Sequence, residues 1–390
     1  MLVRNARIIL PDRIVQSASL LIKGNRIARI LDGESVPPDE DGSIDLTGLT
    51  LFPGFIDIHI HGAVGVDTME ARTQDLFQMG EFLARQGVTA WLPTLVPAPV
   101  EHYQNAIRVI TECLNHQRDH GSGAQVLGVH YEGPFVNSEQ CGALHREHFR
   151  TFKSKNELDG LPTIKTAGAL HMMTLAPEVN GGIDLIKELN QRGWITSIGH
   201  TRATVDILDE ARAAGARHMT HFMNAMTPLH HRAPGPVGWG LINEEVSVDV
   251  IADGIHLDAS ILKLILRNKG SERVSLISDA IAATGEGDGD YQIWGETISV
   301  KHGRTQNARG SIAGSVITML DAVRMMLSLK VSETKVAQMA STNPARLLGI
   351  DDDRGSIAEG KRADLVALDT NLRVHTTIID GKVIQSSSHS

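Results

Sequence analysis

The sequence has little cysteine, few aromatic residues and no surplus of positive charge, and each shortage removes a class of protein. Two cysteines, Cys113 and Cys141, are too few for a disulfide framework and read as reduced thiols in a cytoplasmic protein. Aromatic residues make up only 4%, so packing must rest on aliphatic side chains, as it does inside parallel-strand barrels. With 37 Lys and Arg against 46 Asp and Glu, the formal charge of −9 argues against nucleic acid or an anionic membrane as partner. Any anionic substrate must then be captured by local groups rather than by the overall field. No run approaches the length of a membrane span, and the opening MLVRNARIILPDR has no signal-peptide core. No Gly-rich dinucleotide or phosphate-loop fingerprint follows the first apolar run, which disfavours an open doubly wound sheet.

What is present is a chain of 390 residues, long enough for a barrel enzyme with an appended module, and an excess of histidine, 18 in all. Residues 1–52 alternate apolar and polar positions, with short strands expected at Ala6 to Leu10 and Leu20 to Ile30, broken at Gly24-Asn25. Residues 351–390 return to this style, with strands expected at Gly355 to Ile357, Ala363 to Leu368 and Thr376 to Ile384 around Asp380-Gly381, before a disordered tail, QSSSHS. Neither piece is long enough for its own core, so both termini are expected to build one small β-sandwich module.

Between them, in 53–350, apolar runs alternate with amphipathic helices about eight times. The runs are Gly54 to His61, Thr89 to Val96, Val126 to Glu132, Thr174 to Glu178, Thr196 to His200, His218 to Ala225, Ser247 to Asp253 and Val274 to Asp279. Helical periodicity is clearest in Thr73 to Arg85, Val100 to His116, Ile183 to Arg192, Ala203 to Ala214, Ala259 to Arg267 and Ser315 to Leu327. Strand followed by helix at this frequency predicts an α/β fold, a (β/α)₈ TIM-like barrel. Two connections are enlarged, 134–165 and 285–312, and both are expected over the active end of the barrel.

The chemistry lies at the strand ends. His59 and His61 are two positions apart, so on a strand both imidazoles face the same side. Other runs end in Glu132, His200, His221 and Asp279. A single one of these reads as a loop residue. Six at the same end of successive strands read as a shared metal site, because a buried carboxylate needs a partner and imidazoles supply the other ligands.

Pro53-Gly54-Phe55-Ile56-Asp57-Ile58-His59-Ile60-His61-Gly62, with Arg362-Ala363-Asp364-Leu365-Val366 near the end, resembles the amidohydrolase superfamily. Within it, Glu132-Gly133-Pro134-Phe135, Gly199-His200-Thr201, Thr220-His221-Phe222-Met223-Asn224-Ala225-Met226, Asp253-Gly254-Ile255-His256 and Ser278-Asp279-Ala280 are similar to the N-acetylglucosamine-6-phosphate deacetylase family. The resemblance implies that Glu132, His200 and His221 hold a divalent metal. Glu132 takes the place of the carbamylated lysine that bridges two metals in many relatives. His59 and His61, with Asp279 nearby, make a second ion plausible, so one or two per subunit are expected. Ligand type favours zinc, with iron, cobalt and manganese also fitting. Asp279 is expected to take a proton from the attacking water and return it to the departing amine.

For a phosphorylated N-acetyl amino sugar, Asn224 and Ala225 could meet the phosphate with a side-chain amide and backbone N–H groups. Arg232, in a Pro- and Gly-rich loop, could pair with it bidentately. By resemblance His256 also contacts the phosphate, reaching from a neighbouring subunit, which implies a homodimer, and Ala313-Gly314-Ser315 resembles the loop beside the acetyl group. The family's Gly-x-His step after Glu-Gly-Pro is displaced here to Gly142-Ala143-Leu144-His145. Ala143 and His145 remain candidate contacts, and the sugar epimer stays open between the glucosamine and galactosamine series. A cyclic-amide hydrolase would need the missing bridging lysine, and a non-catalytic scaffold would have no need of the full ligand set.

Overall fold

The computed structural model describes residues 1–32, 42–120, 123–158 and 160–385. Apart from Gln385, the tail expected from the sequence lies outside the described residues.

The barrel has eight parallel strands, Phe55–Ile60, Val88–Leu95, Gly128–Glu132 (preceded by a short piece, Gln125–Val126), Leu170–Leu175, Ile195–Ile198, His218–Met219, Ser247–Ile251 and Val274–Ile277, each overlapping one of the apolar runs, the fourth only at Thr174 and Leu175 of the run Thr174 to Glu178. Each pairs with the next in chain order. The eighth returns to the first through hydrogen bonds from the Asp279 N–H to the His59 carbonyl, 2.9 Å, and from the His61 N–H to the Ala280 carbonyl, 2.8 Å. The result is a nearly closed TIM-like barrel. Val88–Leu95 is buried at every position, which is why its sequence is a continuous apolar run rather than an alternation.

Helices at Thr73–Arg85, Val100–His120, Gly182–Gln191, Val205–Ala213 and Ala259–Lys269 follow the periodicity of the sequence closely. Two differences have local causes. The helix expected from Ser315 begins at Met319, because Thr318 and Asp321 form a reciprocal cap, Thr318 N–H to Asp321 Oδ2 at 3.0 Å and Asp321 N–H to Thr318 Oγ1 at 3.3 Å. The helix Gly235–Ile242 was hidden by its glycines. Gly240 is required by packing: a Cβ there would lie 2.5 Å from the Phe222 ring and 2.7 Å from the Met219 sulfur.

Both enlarged connections lie over the C-terminal ends of the strands. The first carries short 3₁₀ turns, Ser138–Gln140, Arg146–His148 and Lys155–Leu158. The second carries a three-stranded antiparallel flap, Gly289–Ile293, Glu296–Lys301 and Arg304–Asn307.

The two termini form one eight-stranded sheet. Its seam is the antiparallel pairing of Thr50–Pro53 with Leu365–Leu368, which joins the N-terminal part to the C-terminal part. Ile8, Leu20, Ile27, Leu51, Leu365 and Ile378 share a separate apolar core there. Asp380 and Gly381 both take positive φ, 53° and 73°, as a two-residue hairpin turn requires. Gly355 to Ile357, expected as a strand, is instead a buried irregular segment, with the Ser356 hydroxyl accepting from Lys361 Nζ at 2.7 Å.

Candidate metal centre

The six strand-end residues converge. Glu132 is the last residue of the third strand, and His59 and His61 come from the end of the first. His200, His221 and Asp279 lie just beyond the ends of the fifth, sixth and eighth strands, and all three adopt left-handed backbone conformations, with φ of 48°, 31° and 50°. Such φ values are costly for residues with a Cβ and persist where surrounding structure enforces them.

Two groups of three donors result. In one, Glu132 Oε1 is 3.0 Å from His200 Nε2 and 2.9 Å from His221 Nε2, and the two imidazole nitrogens are 3.1 Å apart. In the other, His59 Nε2 and His61 Nε2 are 3.1 Å apart and lie 3.4 and 3.2 Å from Asp279 Oδ1. Glu132 Oε2 is 3.3 Å from His61 Nε2, so this one carboxylate spans both groups. Bonds of about 2.1 Å in tetrahedral coordination put neighbouring donors roughly 3.4 Å apart. Facing imidazole nitrogens have at most one proton to share, whereas a cation satisfies them together with the carboxylate. The residues therefore fit a divalent metal at the first group and a second at the other. No lysine lies on the fourth strand, Leu170–Leu175, so among the described residues Glu132 is the side chain that reaches both groups.

Outer contacts orient the ligands. His200 Nδ1 faces the Gln140 carbonyl at 2.7 Å and His61 Nδ1 faces the Thr94 carbonyl at 3.3 Å, which turns both Nε2 atoms inward. Asp249 accepts from the His221 N–H and pairs with His218 Nε2 at 2.8 Å. Asp57 accepts from the Ser278 hydroxyl at 2.5 Å, locking the eighth strand to the first beside Asp279. Ser315 donates its N–H to the Asp279 carbonyl at 2.7 Å and its hydroxyl to the Ser278 carbonyl at 2.5 Å.

The electrostatics suit a cation. Burial opposes ionisation of Glu132, but His59 and hydrogen bonds from His200, His221 and His61 hold its carboxyl well below the usual range. Burial pulls the His59 imidazole well below its ordinary value, leaving a neutral donor. His61 and His221 are also buried, yet contacts with Glu132 and Asp279 carry them to about 10 and about 9. The negative charge that raises them is the charge that attracts a metal, whose binding would displace those protons.

The centre opens into a cavity of about 440 Å³, the natural place for a substrate. Asn224, Ala225, Ala143 and His256 line it, and His256 does so within its own chain, its Nδ1 held by Asp253 Oδ2 at 2.6 Å. Three candidates lie elsewhere. Arg232 is exposed on the loop 228–234, with its guanidinium beside His231. His145 turns away, with Nδ1 3.2 Å from Glu147, while Leu144 faces the cavity. Ser315 is 1% exposed and braces Asp279 from behind, so Gly314 lines the cavity instead. Asp249, Gln140, Trp294 and Arg146 escaped the sequence reading. None of these four stands out in the sequence, Asp249 because it lies inside an apolar run rather than at its end.

Sequence and fold comparisons agree with this geometry. The amidohydrolase family profile matches residues 50–384. The N-acetylglucosamine-6-phosphate deacetylase of Bacillus subtilis (strain 168) is 34% identical over 384 residues, covering 98% of this chain and 96% of the relative. The N-acetylgalactosamine-6-phosphate deacetylase of Escherichia coli O157:H7 is 38% identical over 358 residues, covering 91% and 93%. The crystal structure of N-acetylglucosamine-6-phosphate deacetylase from Pasteurella multocida superposes with a TM-score of 0.90 at 31% identity, over 99% of both chains.

Proposed function

The chain belongs to the amidohydrolase family, and from that premise we propose that it hydrolyses the acetamide of N-acetylglucosamine 6-phosphate, giving glucosamine 6-phosphate and acetate. The observation that carries this reading is the convergence of Glu132, His200, His221, His61 and Asp279, with His59 buried behind them, on one cavity that Asn224 and His256 also line.

Glu132, His200 and His221 would hold a divalent ion, with a second place at His59, His61 and Asp279, and such an ion would supply Lewis-acid polarisation and an acidified water. The all-imidazole and carboxylate ligand set supports zinc, with iron, cobalt or manganese as alternatives. Asp279 takes the proton of the attacking water and hands it to the departing amine nitrogen. The Ser315 brace behind it keeps its carboxylate turned to the cavity. Asn224 and the Ala225 N–H receive the phosphate, and His256, with Nδ1 occupied by Asp253, offers Nε2.

The reading includes a homodimer. The Arg232 loop carries Leu229, 54% exposed, against a helix that ends in Ile242, 76% exposed, an apolar surface beside a guanidinium that does not reach its own cavity. Cytoplasmic localisation is the setting that suits two unpaired buried thiols.

A second reading, the galactosamine epimer, is favoured by one observation: the chain is 38% identical over 358 residues to the Escherichia coli O157:H7 N-acetylgalactosamine-6-phosphate deacetylase. The test is a deacetylation assay on N-acetylglucosamine 6-phosphate, its galactosamine epimer and the unphosphorylated sugars. Preference for the glucosamine phosphate is expected. Preference for the epimer moves the assignment to the second reading, and no acetate release from any of them removes both.

A further inference from the structure

We propose that Arg146 is the in-chain phosphate-binding and specificity-determining residue of the cavity, an inference that rests on the deacetylase reading above. Arg146 opens the 3₁₀ turn Arg146–His148 in the first enlarged connection and lines the same cavity as the metal centre. Its Nε lies 3.1 Å from the Cys141 sulfur, which fixes the direction of the side chain. The two terminal nitrogens have no partner among the described residues. Neighbouring groups that could neutralise it are already engaged. Glu139 pairs with Arg202, and Glu296 lies with Arg309, whose guanidinium also donates to the Ala143 carbonyl at 2.8 Å.

The position of the turn points to phosphate rather than to the reacting amide. Gly142, next to Cys141, sits between the centre and the Asn224–Ala225 corner: a Cβ there would be 3.6 Å from His200 Cε1 and 4.0 Å from the Ala225 Cβ. Arg146 is tethered to Cys141, the residue before this glycine, and lines the same cavity as the corner whose amide groups suit an anion. A phosphate must also keep its distance from Glu132 and Asp279 at the floor. Among the described residues Arg146 is the guanidinium or ammonium group lining this cavity, with His256 the one imidazole there outside the centre. A guanidinium with both terminal nitrogens free presents a planar fork that matches two phosphate oxygens.

The experiment compares wild type, Arg146→Met and Arg146→Lys on N-acetylglucosamine 6-phosphate and on N-acetylglucosamine, with inorganic phosphate as a competitive inhibitor. The ratio of kcat/KM for the phosphorylated over the free sugar is expected to fall roughly 10- to 100-fold in Arg146→Met. The loss should lie in KM, with weaker inhibition by inorganic phosphate and partial recovery in Arg146→Lys. Arg146 is exposed on a surface turn, so the variants should keep their melting temperature, and a melting scan checks this. An unchanged ratio and unchanged phosphate inhibition would overturn the proposal, as would a loss seen only on Arg232→Ala. If wild type itself does not prefer the phosphorylated sugar, the deacetylase reading fails first, and the two failures are distinguishable.

Discussion

His218 and Asp249 form a pair with no solvent exposure, His218 Nε2 lying 2.8 Å from Asp249 Oδ2, and the other oxygen of Asp249 accepts the backbone N–H of His221. The Asp249 carbonyl also accepts from the Phe222 N–H at 2.9 Å. A carboxylate on the seventh strand thereby holds the left-handed turn that aims a candidate ligand from the sixth. Asp249→Asn keeps the shape but removes the charge opposite His218. It is expected to weaken metal retention roughly 10- to 100-fold, measured by competition with a chelator. Melting should fall as well, because Asn offers one acceptor oxygen where Asp249 uses two, and a buried group left unsatisfied costs about 1–3 kcal/mol. Unaltered metal affinity would mean that Asp249 serves folding alone.

Asp279 belongs to the second donor group, so the role proposed for it as proton carrier can be tested apart from metal binding at the first. Asp279→Asn should leave the ion at Glu132, His200 and His221 in place and lower kcat by roughly 10²- to 10⁴-fold. Metal analysis and steady-state kinetics on the same preparation check both halves. Near-normal turnover sinks the assignment.

Because Glu132 reaches both groups, with Oε1 2.9 Å from His221 and Oε2 3.3 Å from His61, the two sites are expected to empty unequally in variants. His59→Ala should reduce the metal-to-protein ratio by the second ion only. Glu132→Gln should lose both. Metal retention in wild type should decline on acidification, since protons compete for the same nitrogen and oxygen atoms. Equal loss in both variants would contradict a bridging role for Glu132.

How far the sequence led follows from what each residue needs from its neighbours. Barrel strands buried on both faces read as apolar runs, so their polar last residues stood out, and His59, His61, Glu132, His200, His221 and Asp279 could be named without coordinates. Asp57 and Asp249 have no such contrast: they sit inside runs, and only the fold shows that Ser278 and His218 face them. The helix Gly235–Ile242 was invisible because its glycines answer to the Phe222 ring, a contact across the chain rather than along it. The direction of a loop side chain was equally out of reach. Residues Leu144, His145 and Arg146 are consecutive, yet the first and third face the cavity and the second does not.

Lys269 offers a test of the fold that does not involve the site. It is 1% exposed, and its Nζ donates to the carbonyls of Asn243 and Val246, tying the helix Ala259–Lys269 to the start of the seventh strand. Burial lowers it from 10.5 to about 8, so the folded protein sheds this proton at lower pH than the unfolded chain does. The unfolded state then binds more protons between about pH 8 and 10.5, and the contribution of Lys269 to stability must rise with pH across that window. Relative to Lys269→Met, wild type should gain about 2 kcal/mol between pH 7 and 9.5, from 1.36 kcal/mol per pH unit over the part of the window covered. Denaturant melts of both proteins at several pH values measure the difference. A constant difference, or one that shrinks as pH rises, would show that the ammonium is not held against burial.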